Sequence, residues 1–146
     1  MNKPTAKQLA LKINPNLFTE RDNAKNTIVR DKENIYATAF YPQQAWHDAY
    51  HQLAADQFKV GDLLVMVDCY EAKVYQNRVW LCRHNSYQAS SGDYWVFLQG
   101  FSGAFVCEYL RKATDEEIQA YLQAELSPRD SAENKASIEK AYQQVA

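Results

Sequence analysis

The spacing of apolar residues in the first half of the chain predicts a helix over residues 42 to 57. Proline is favoured in the first turn of a helix, and Pro42 opens this segment. Apolar residues then recur at spacings of three and four, which places them on one buried stripe. These positions are Trp46, Ala49, Tyr50 and Leu53.

The segments before this helix are shorter and more polar. Residues 5 to 13 suit a short helix in which Thr5 caps the first turn and Asn14-Pro15 ends the last. Residues 16 to 34 are mainly polar and predict mostly loop, with one short extended piece. Residues 35 to 41 alternate in a way that predicts a strand or the approach to the next helix.

The pattern changes to strands between residues 58 and 112. Runs rich in Val, Trp, Tyr and Phe are separated by segments with turn chemistry, two of which contain glycine. Residues 71 to 78 read as a longer, irregular loop. Four short meandering strands predict a closed or nearly closed antiparallel barrel. The four predicted strands are residues 63 to 70, 79 to 87, 94 to 101 and 104 to 111.

Helical patterning returns after the strands. Thr114 followed by Glu117 forms a capping box, in which each side chain satisfies a backbone N–H of the other residue. Ser127-Pro128 ends this helix, and a second helix follows in the Ala- and Gln-rich tail. The apolar positions of the tail helix are Ile138, Tyr142 and Val145.

These elements predict an α+β protein of one domain, residues 1 to 146. Its parts are a helical and irregular segment (1 to 57), a barrel core (58 to 112) and C-terminal helices (113 to 146). The one seam that the composition indicates separates residues 1 to 57 from the barrel.

Composition and charge indicate the expected location of the protein and the class of its partner. The apolar runs are too short to cross a bilayer, and the first residues lack the apolar stretch of a secretory signal, so we expect a cytoplasmic protein and no membrane partner. The three cysteines form an odd set, which argues against a disulfide framework. The net charge of −2 does not form the clustered basic surface typical of nucleic-acid binding. Charge therefore favours a protein partner.

Two groups of residues could bind a metal. His47 and His51 lie one helical turn apart with Asp48 beside the first, which is similar to the His-Glu-x-x-His arrangement of zinc hydrolases. The aspartate is one methylene shorter than glutamate and a third ligand is not evident, so a solvent-facing helix surface explains the pair as well.

The second group consists of three cysteines and one histidine on the predicted strands. Strict alternation along the strands would turn all four of these side chains inward. Their spacings of 13, 2 and 23 residues do not match the close pairs of structural zinc sites, and buried cysteines usually pack as small apolar residues. No metal, cofactor or catalytic residue is therefore assigned, and we do not expect an enzyme. This second group consists of Cys69, Cys82, His84 and Cys107.

Aromatic residues are the main candidate for function, because 11 of the 19 lie between residues 58 and 112. A barrel of this size cannot enclose them all, and exposed Tyr and Trp are effective binding anchors. A nucleic acid is the alternative partner, although this segment holds six bases and five acids. The expected partner-binding residues are Tyr70, Tyr75, Arg78, Arg83, Tyr87 and Trp95.

The segments that open and close the barrel region carry a family resemblance. Phe58-Lys59-Val60-Gly61-Asp62 leads into a strand, and residues 109 to 118 leave a strand for a capped helix. With the aromatic meander between them, they resemble small SH3-like barrel proteins encoded by bacteriophages and prophages. The resemblance implies an accessory protein or inhibitor that acts on a host protein, a class that includes CRISPR inhibitors. A small zinc hydrolase using His47 and His51 remains a further alternative.

Overall fold

The computed structural model describes residues 3–145, and only the backbone of residue 145. The ends of the predicted domain and the side chain of Val145 therefore lie outside the described residues. The chain forms two compact units, one ending at Gln57 and the other beginning at Phe58. This boundary coincides with the seam indicated by the composition, while the assignment of a single domain stays a prediction.

The first unit combines two helices with a three-stranded antiparallel sheet in the order β1-β2-β3. Both helices predicted from the sequence are confirmed, and so is the strand before the second helix. The elements are α1 (Ala6–Ile13), β1 (Phe18–Arg21), β2 (Thr27–Arg30), β3 (Ile35–Ala39) and α2 (Pro42–Ala55).

Local chemistry explains where α1 begins. The Thr5 hydroxyl accepts a hydrogen bond from the backbone N–H of Gln8 at 3.1 Å, and the Gln8 side chain accepts one from the Thr5 N–H at 2.8 Å. This reciprocal arrangement satisfies two N–H groups that the first turn leaves without helical partners. A cap of this kind contributes about 1 kcal/mol to helix stability.

Two strands, β1 and β2, lie within residues 16 to 34, where the sequence predicted mostly loop with one short extended piece. All four residues of β1 are exposed, so its sequence lacks the apolar alternation by which a strand is recognised. Of these two strands only β2 has buried residues, Thr27 and Val29. The buried apolar residues of this unit are Ala10, Leu17, Val29, Ala37, Ala45, Trp46 and Ala49.

The second unit contains two further three-stranded antiparallel sheets, β5-β4-β9 and β6-β7-β8. A 3-10 turn at Cys107–Tyr109 separates β8 from β9. The elements are β4 (Leu63–Met66), α3 (Tyr70–Val74), β5 (Trp80–Leu81), β6 (Tyr87–Gln88), β7 (Tyr94–Phe97), β8 (Ala104–Val106), β9 (Leu110–Lys112), α4 (Asp115–Gln123) and α5 (Ala132–Val145).

The α+β class is confirmed, but the sheets do not close into a barrel within residues 58–145. A bridge between Cys82 and Leu98 links the end of β5 to the end of β7. Strands of two to four residues are too short to sustain continuous hydrogen bonding around a closed barrel.

All four predicted strands differ in extent from the structure, and β7 ends at Phe97 where the strand was expected to reach residue 101. Tyr70 begins α3 instead of ending a strand, and part of the expected loop is therefore helical. The strand predicted over residues 79 to 87 is divided into β5 and β6. The 3-10 turn interrupts the strand predicted over residues 104 to 111. Asn85 and Ser86, which have low strand propensity, lie at the break between β5 and β6, and tertiary packing determines which of the remaining residues pair.

The core of the second unit lies between the sheets and the C-terminal helices. Trp80 is fully buried, and Ile118 of α4 and Ile138 of α5 pack with residues of β4. α4 begins with the predicted capping box, since the Glu117 carboxylate accepts from the Thr114 N–H at 2.9 Å. Arg111 donates two hydrogen bonds to the same carboxylate, at 2.7 and 2.9 Å.

The Glu117 capping interactions predict acid sensitivity. Hydrogen bonds from Arg111 lower the pKa of Glu117 to about 2 from 4.5. A lowered pKa stabilises the fold above pH 4.5, and this contribution is lost as the pH falls through about 2. Because the side chain is 35% exposed, solvent screens the pair, and we expect Glu117→Gln to cost about 1 kcal/mol at pH 7.

Urea unfolding of the wild type and Glu117→Gln at pH 7, 4 and 2.5 measures this effect. The difference in unfolding free energy should shrink as the pH is lowered. Glu116→Gln is the control, because Glu116 lies in the same first turn but is not part of the capping box. An equal loss in both variants, or a difference that does not change with pH, contradicts the assignment.

No helix within residues 3–145 is both long enough and apolar enough to cross a membrane. The longest helices have 14 residues, and their sequences are polar on one side.

Candidate functional site

Arg78, one of the expected partner-binding residues, lies in the interior of the second unit. Its side chain is 8% exposed, and the guanidinium carbon lies 3.7 Å from the centroid of the Trp80 ring. The Tyr75 ring packs edge-on against Trp80 at 5.1 Å between centroids. Stacking on an indole face is a favourable environment for a guanidinium, particularly where water is excluded. Arg78 and Tyr75 thus belong to a packed aromatic cluster.

The remaining interactions of Arg78 are with the segment that joins α4 to α5. Its Nη1 donates to the carbonyl oxygen of Arg129 at 2.8 Å, and its Nη2 lies 3.6 Å from Asp130 Oδ1. The Asp130 side chain is 3% exposed, so a buried cation and a buried anion are paired. Leaving either charge without the other in the interior is costly.

Two more side chains complete this buried network. The Tyr121 hydroxyl donates to Asp130 Oδ2 at 2.5 Å and accepts from Asn134 Nδ2 at 2.7 Å. Burial, followed by the hydrogen bond to Asp130, raises the pKa of Tyr121, which keeps the hydroxyl protonated at neutral pH. The network therefore connects β5, α4 and α5 and has a structural role.

A pocket of about 210 Å³ lies beside this network. Its lining includes Tyr75 and Arg78 from one side and Arg129, Asp130 and Lys135 from the other. The charges are mixed, and Arg78 is already paired with Asp130.

The sheet β6-β7-β8 presents aromatic side chains on its outer side. Along β7, Tyr94 and Val96 are buried, whereas Trp95 is half-buried and Phe97 is 39% exposed. Tyr87 of β6 pairs with Trp95, which places the two side chains on the same side of the sheet. Successive residues of a strand point to opposite sides, so Trp95 and Phe97 share this outer side.

The end of β5 extends this outer side. Cys82 and Leu98 form a bridge and are buried, so the next pair outward, Arg83 and Phe97, points to the opposite side. The backbone N–H of Arg83 donates to the Phe97 carbonyl at 2.7 Å, as this register requires. Arg83 is exposed. It therefore brings a positive charge to the edge of the aromatic surface.

The rings of this surface contact one another. Tyr87 and Phe97 are stacked, with centroids 6.0 Å apart and an interplanar angle of 18°. His84 packs edge-on against both, at 5.5 Å from Tyr87 and 5.9 Å from Phe97. Exposed rings held by one another keep few rotamers, which lowers the entropy lost on binding. We call this surface the aromatic face; it consists of Arg83, His84, Tyr87, Trp95 and Phe97.

The expected site residues thus fall into three places. Arg83, Tyr87 and Trp95 belong to the aromatic face, and Tyr75 and Arg78 belong to the cluster around Trp80. Tyr70 begins α3 and is 75% exposed. His84 and Phe97 were not among the expected residues. The signal for Phe97 in the sequence was its position two residues after Trp95. Because both sides of this strand carry apolar residues, the sequence did not show which side faces solvent.

The group of potential zinc ligands is not assembled. Cys82 and Cys107 are buried, but His84 is exposed and its Nδ1 lies 2.7 Å from the Asn85 carbonyl. The prediction that all four side chains face inward is therefore wrong. Burial raises the pKa of Cys82, and it raises the pKa of Cys107 to about 12, so these thiols stay protonated and unreactive.

His47 and His51 lie on α2 as the sequence predicts, with their Nε2 atoms 3.1 Å apart. The carboxylate of Asp48 lies 3.5 Å from His47 Nδ1. Within residues 3–145 no cluster of three or more His, Cys, Asp or Glu side chains could hold a metal ion. The hydrolase alternative consequently rests on two ligands.

Comparison of the chain with protein-family models, with curated proteins and with solved structures finds no match.

Proposed function

We propose that the chain is a non-catalytic protein-binding module and that the aromatic face contacts the partner. The supporting observation is a set of mutually packed rings on the solvent side of a sheet whose other side is core. α3 packs against β4, and α5 packs against β4 and β5. Phe97 is the most exposed residue of β7, and Tyr87 and Trp95 beside it are half-buried.

The composition of the aromatic face indicates the chemistry of the partner. Four rings offer a broad apolar area, and the Arg83 guanidinium offers one positive charge at its edge. A protein segment with apolar or aromatic side chains and a carboxylate opposite Arg83 fits this surface. Single-stranded nucleic acid also stacks on rings, but it needs more cations than the six bases and five acids of residues 58 to 112 provide.

An SH3-like arrangement of the second unit is part of this proposal. The first strand, β4, pairs with the last strand, β9, and a 3-10 turn precedes β9. The Cys82–Leu98 bridge joins the sheet β5-β4-β9 to the sheet β6-β7-β8. These features support an open version of the SH3-like strand order.

The same pairing supports the phage-encoded class that the resemblance implies. The segment that begins at Phe58 leads into β4, and the segment that includes Leu110 forms β9, so β4–β9 pairing brings the two resembling segments together. We therefore propose an accessory protein or inhibitor that acts on a host protein in the cytoplasm, as CRISPR inhibitors do.

Affinity capture with variants tests the aromatic face. The untagged wild-type chain, immobilised through its N-terminus, is compared with Tyr87→Ala/Phe97→Ala on a bacterial lysate, and captured proteins are identified by mass spectrometry. With the purified partner, we expect the double variant to bind at least about tenfold more weakly, or about 1.4 kcal/mol, because it loses two hot-spot rings. Circular dichroism should show that the variant is folded.

Phe18→Ala is the matched control, since Phe18 is 43% exposed and lies on a strand of the first unit. Its partner affinity should equal that of the wild type. Partners that bind the double variant as tightly as the wild type would exclude the aromatic face. Binding to oligonucleotides that falls steeply between 50 and 200 mM salt would instead favour the nucleic-acid alternative.

A further inference from the structure

The His47 and His51 side chains converge on one point outside α2. They are four residues apart, and this spacing places side chains on one face of a helix, one turn apart. Their Nε2 atoms are 3.1 Å apart and their ring centroids are 4.3 Å apart. His47 is exposed, with 57% of its side chain accessible. Each imidazole therefore directs its Nε2 atom to the same position at the protein surface.

A carboxylate lies beside the other ring nitrogen of His47, Nδ1. Asp48 Oδ1 lies 3.5 Å from His47 Nδ1 and accepts a hydrogen bond from Gln44 Nε2 at 2.7 Å. A carboxylate at this position favours a proton on Nδ1 and leaves a lone pair on Nε2. Carboxylates and carbonyls orient metal-binding histidines in the same way from the far side of the ring.

We propose that His47 and His51 form a chelating site for an exchangeable divalent transition metal such as Ni²⁺, Cu²⁺ or Zn²⁺. An ion at the usual distance of about 2.0–2.1 Å from both nitrogens subtends an angle of about 95–100° across the 3.1 Å separation. This angle matches two adjacent positions of octahedral or square-planar coordination, which Ni²⁺ and Cu²⁺ prefer.

Two protein ligands leave the other coordination positions to water or to donors from another molecule. A site of this kind exchanges its metal, in contrast to the closed four-ligand sites that hold zinc structurally. The inference concerns the first unit and is independent of the aromatic face, so either proposal can fail without affecting the other.

Calorimetric titration of the full chain, without a histidine tag, with Ni²⁺ and then Cu²⁺ at pH 7.5 tests the site. We expect one ion per chain and tighter binding of Cu²⁺. His47→Ala and His51→Ala should each weaken binding by at least about tenfold, because each leaves a single imidazole. Saturating metal should also raise the melting temperature of the wild type, and this increase should disappear in both variants.

His84→Ala is the matched control, because His84 is also exposed but its Nδ1 faces the Asn85 carbonyl. It should bind metal as the wild type does. The proposal is overturned if the double variant His47→Ala/His51→Ala, folded by circular dichroism, binds as tightly as the wild type. Loss of binding in His84→Ala would overturn it as well.

Discussion

Replacing Arg78 with alanine should lower the free energy of unfolding of the second unit by about 3–5 kcal/mol. The variant leaves the Asp130 carboxylate buried without its cation and removes the guanidinium that stacks on Trp80 at 3.7 Å. It also leaves the Arg129 carbonyl without its donor. Since the stability of a domain is about 5–15 kcal/mol, the loss is a large part of the total.

Urea unfolding followed by tryptophan fluorescence measures the loss. A Trp46→Phe background restricts the signal to Trp80 and Trp95, both in the second unit. Arg83→Ala is the control, because an exposed arginine should change stability by less than about 0.5 kcal/mol.

A second variant keeps the Arg78 prediction testable if Arg78→Ala does not fold. Arg78→Ala/Asp130→Asn should recover part of the lost stability, because the buried negative charge is removed together with the positive one. Equal stability of Arg78→Ala and Arg83→Ala would contradict the buried pair. A double variant less stable than Arg78→Ala would show that Asp130 acts through Tyr121 and not through Arg78.

Replacing Gly100 with alanine should cost about 3 kcal/mol, from two separate effects. The φ angle of Gly100 is +81°, where a side chain is strained. A Cβ atom at this position also lies 2.9 Å from Arg78 Nη2, closer than normal contact allows. The guanidinium cannot move aside easily, because Trp80 and the Arg129 carbonyl hold it.

Gly103 provides a control that separates the backbone strain from the contact with Arg78. Its φ is also +81°, but an added Cβ finds nothing within 4 Å. Gly103→Ala should therefore show the backbone strain alone, about 1–2 kcal/mol. In the Arg78→Ala background the difference between the two alanine variants should disappear. Equal losses in the wild-type background would mean that Arg78 tolerates the methyl group.

The parts of the fold that were predictable depend on interactions between residues close in sequence. The capping boxes at Thr5 and Thr114 and the apolar spacing after Pro42 identify the starts of three helices. Each involves residues within about one helical turn, so the sequence contains the whole interaction. The turns at Gly92 and Gly100 were recognisable for the same reason, since both adopt positive φ.

The strands were less predictable because partners distant in sequence decide their extent. β1 has four exposed residues, and it is a strand because it pairs with β2. Leu81 and Tyr87 belong to one predicted strand, yet they pair with β4 and β7 respectively. The strands with which they pair are set by distant residues, although Asn85 and Ser86 between them are turn-forming residues that mark a break in the strand.

The helix starts, the excess of aromatic residues in the second half and the His47–His51 pair on one face of a helix follow from the order of residues alone. Tertiary structure decided which rings face solvent, because the register of the Cys82–Leu98 bridge turns Phe97 and Arg83 outward. It also placed Arg78 beside Asp130, 52 positions later in the chain, inside the protein. Burial of this kind depends on how distant elements pack, and neither composition nor periodicity contains that information.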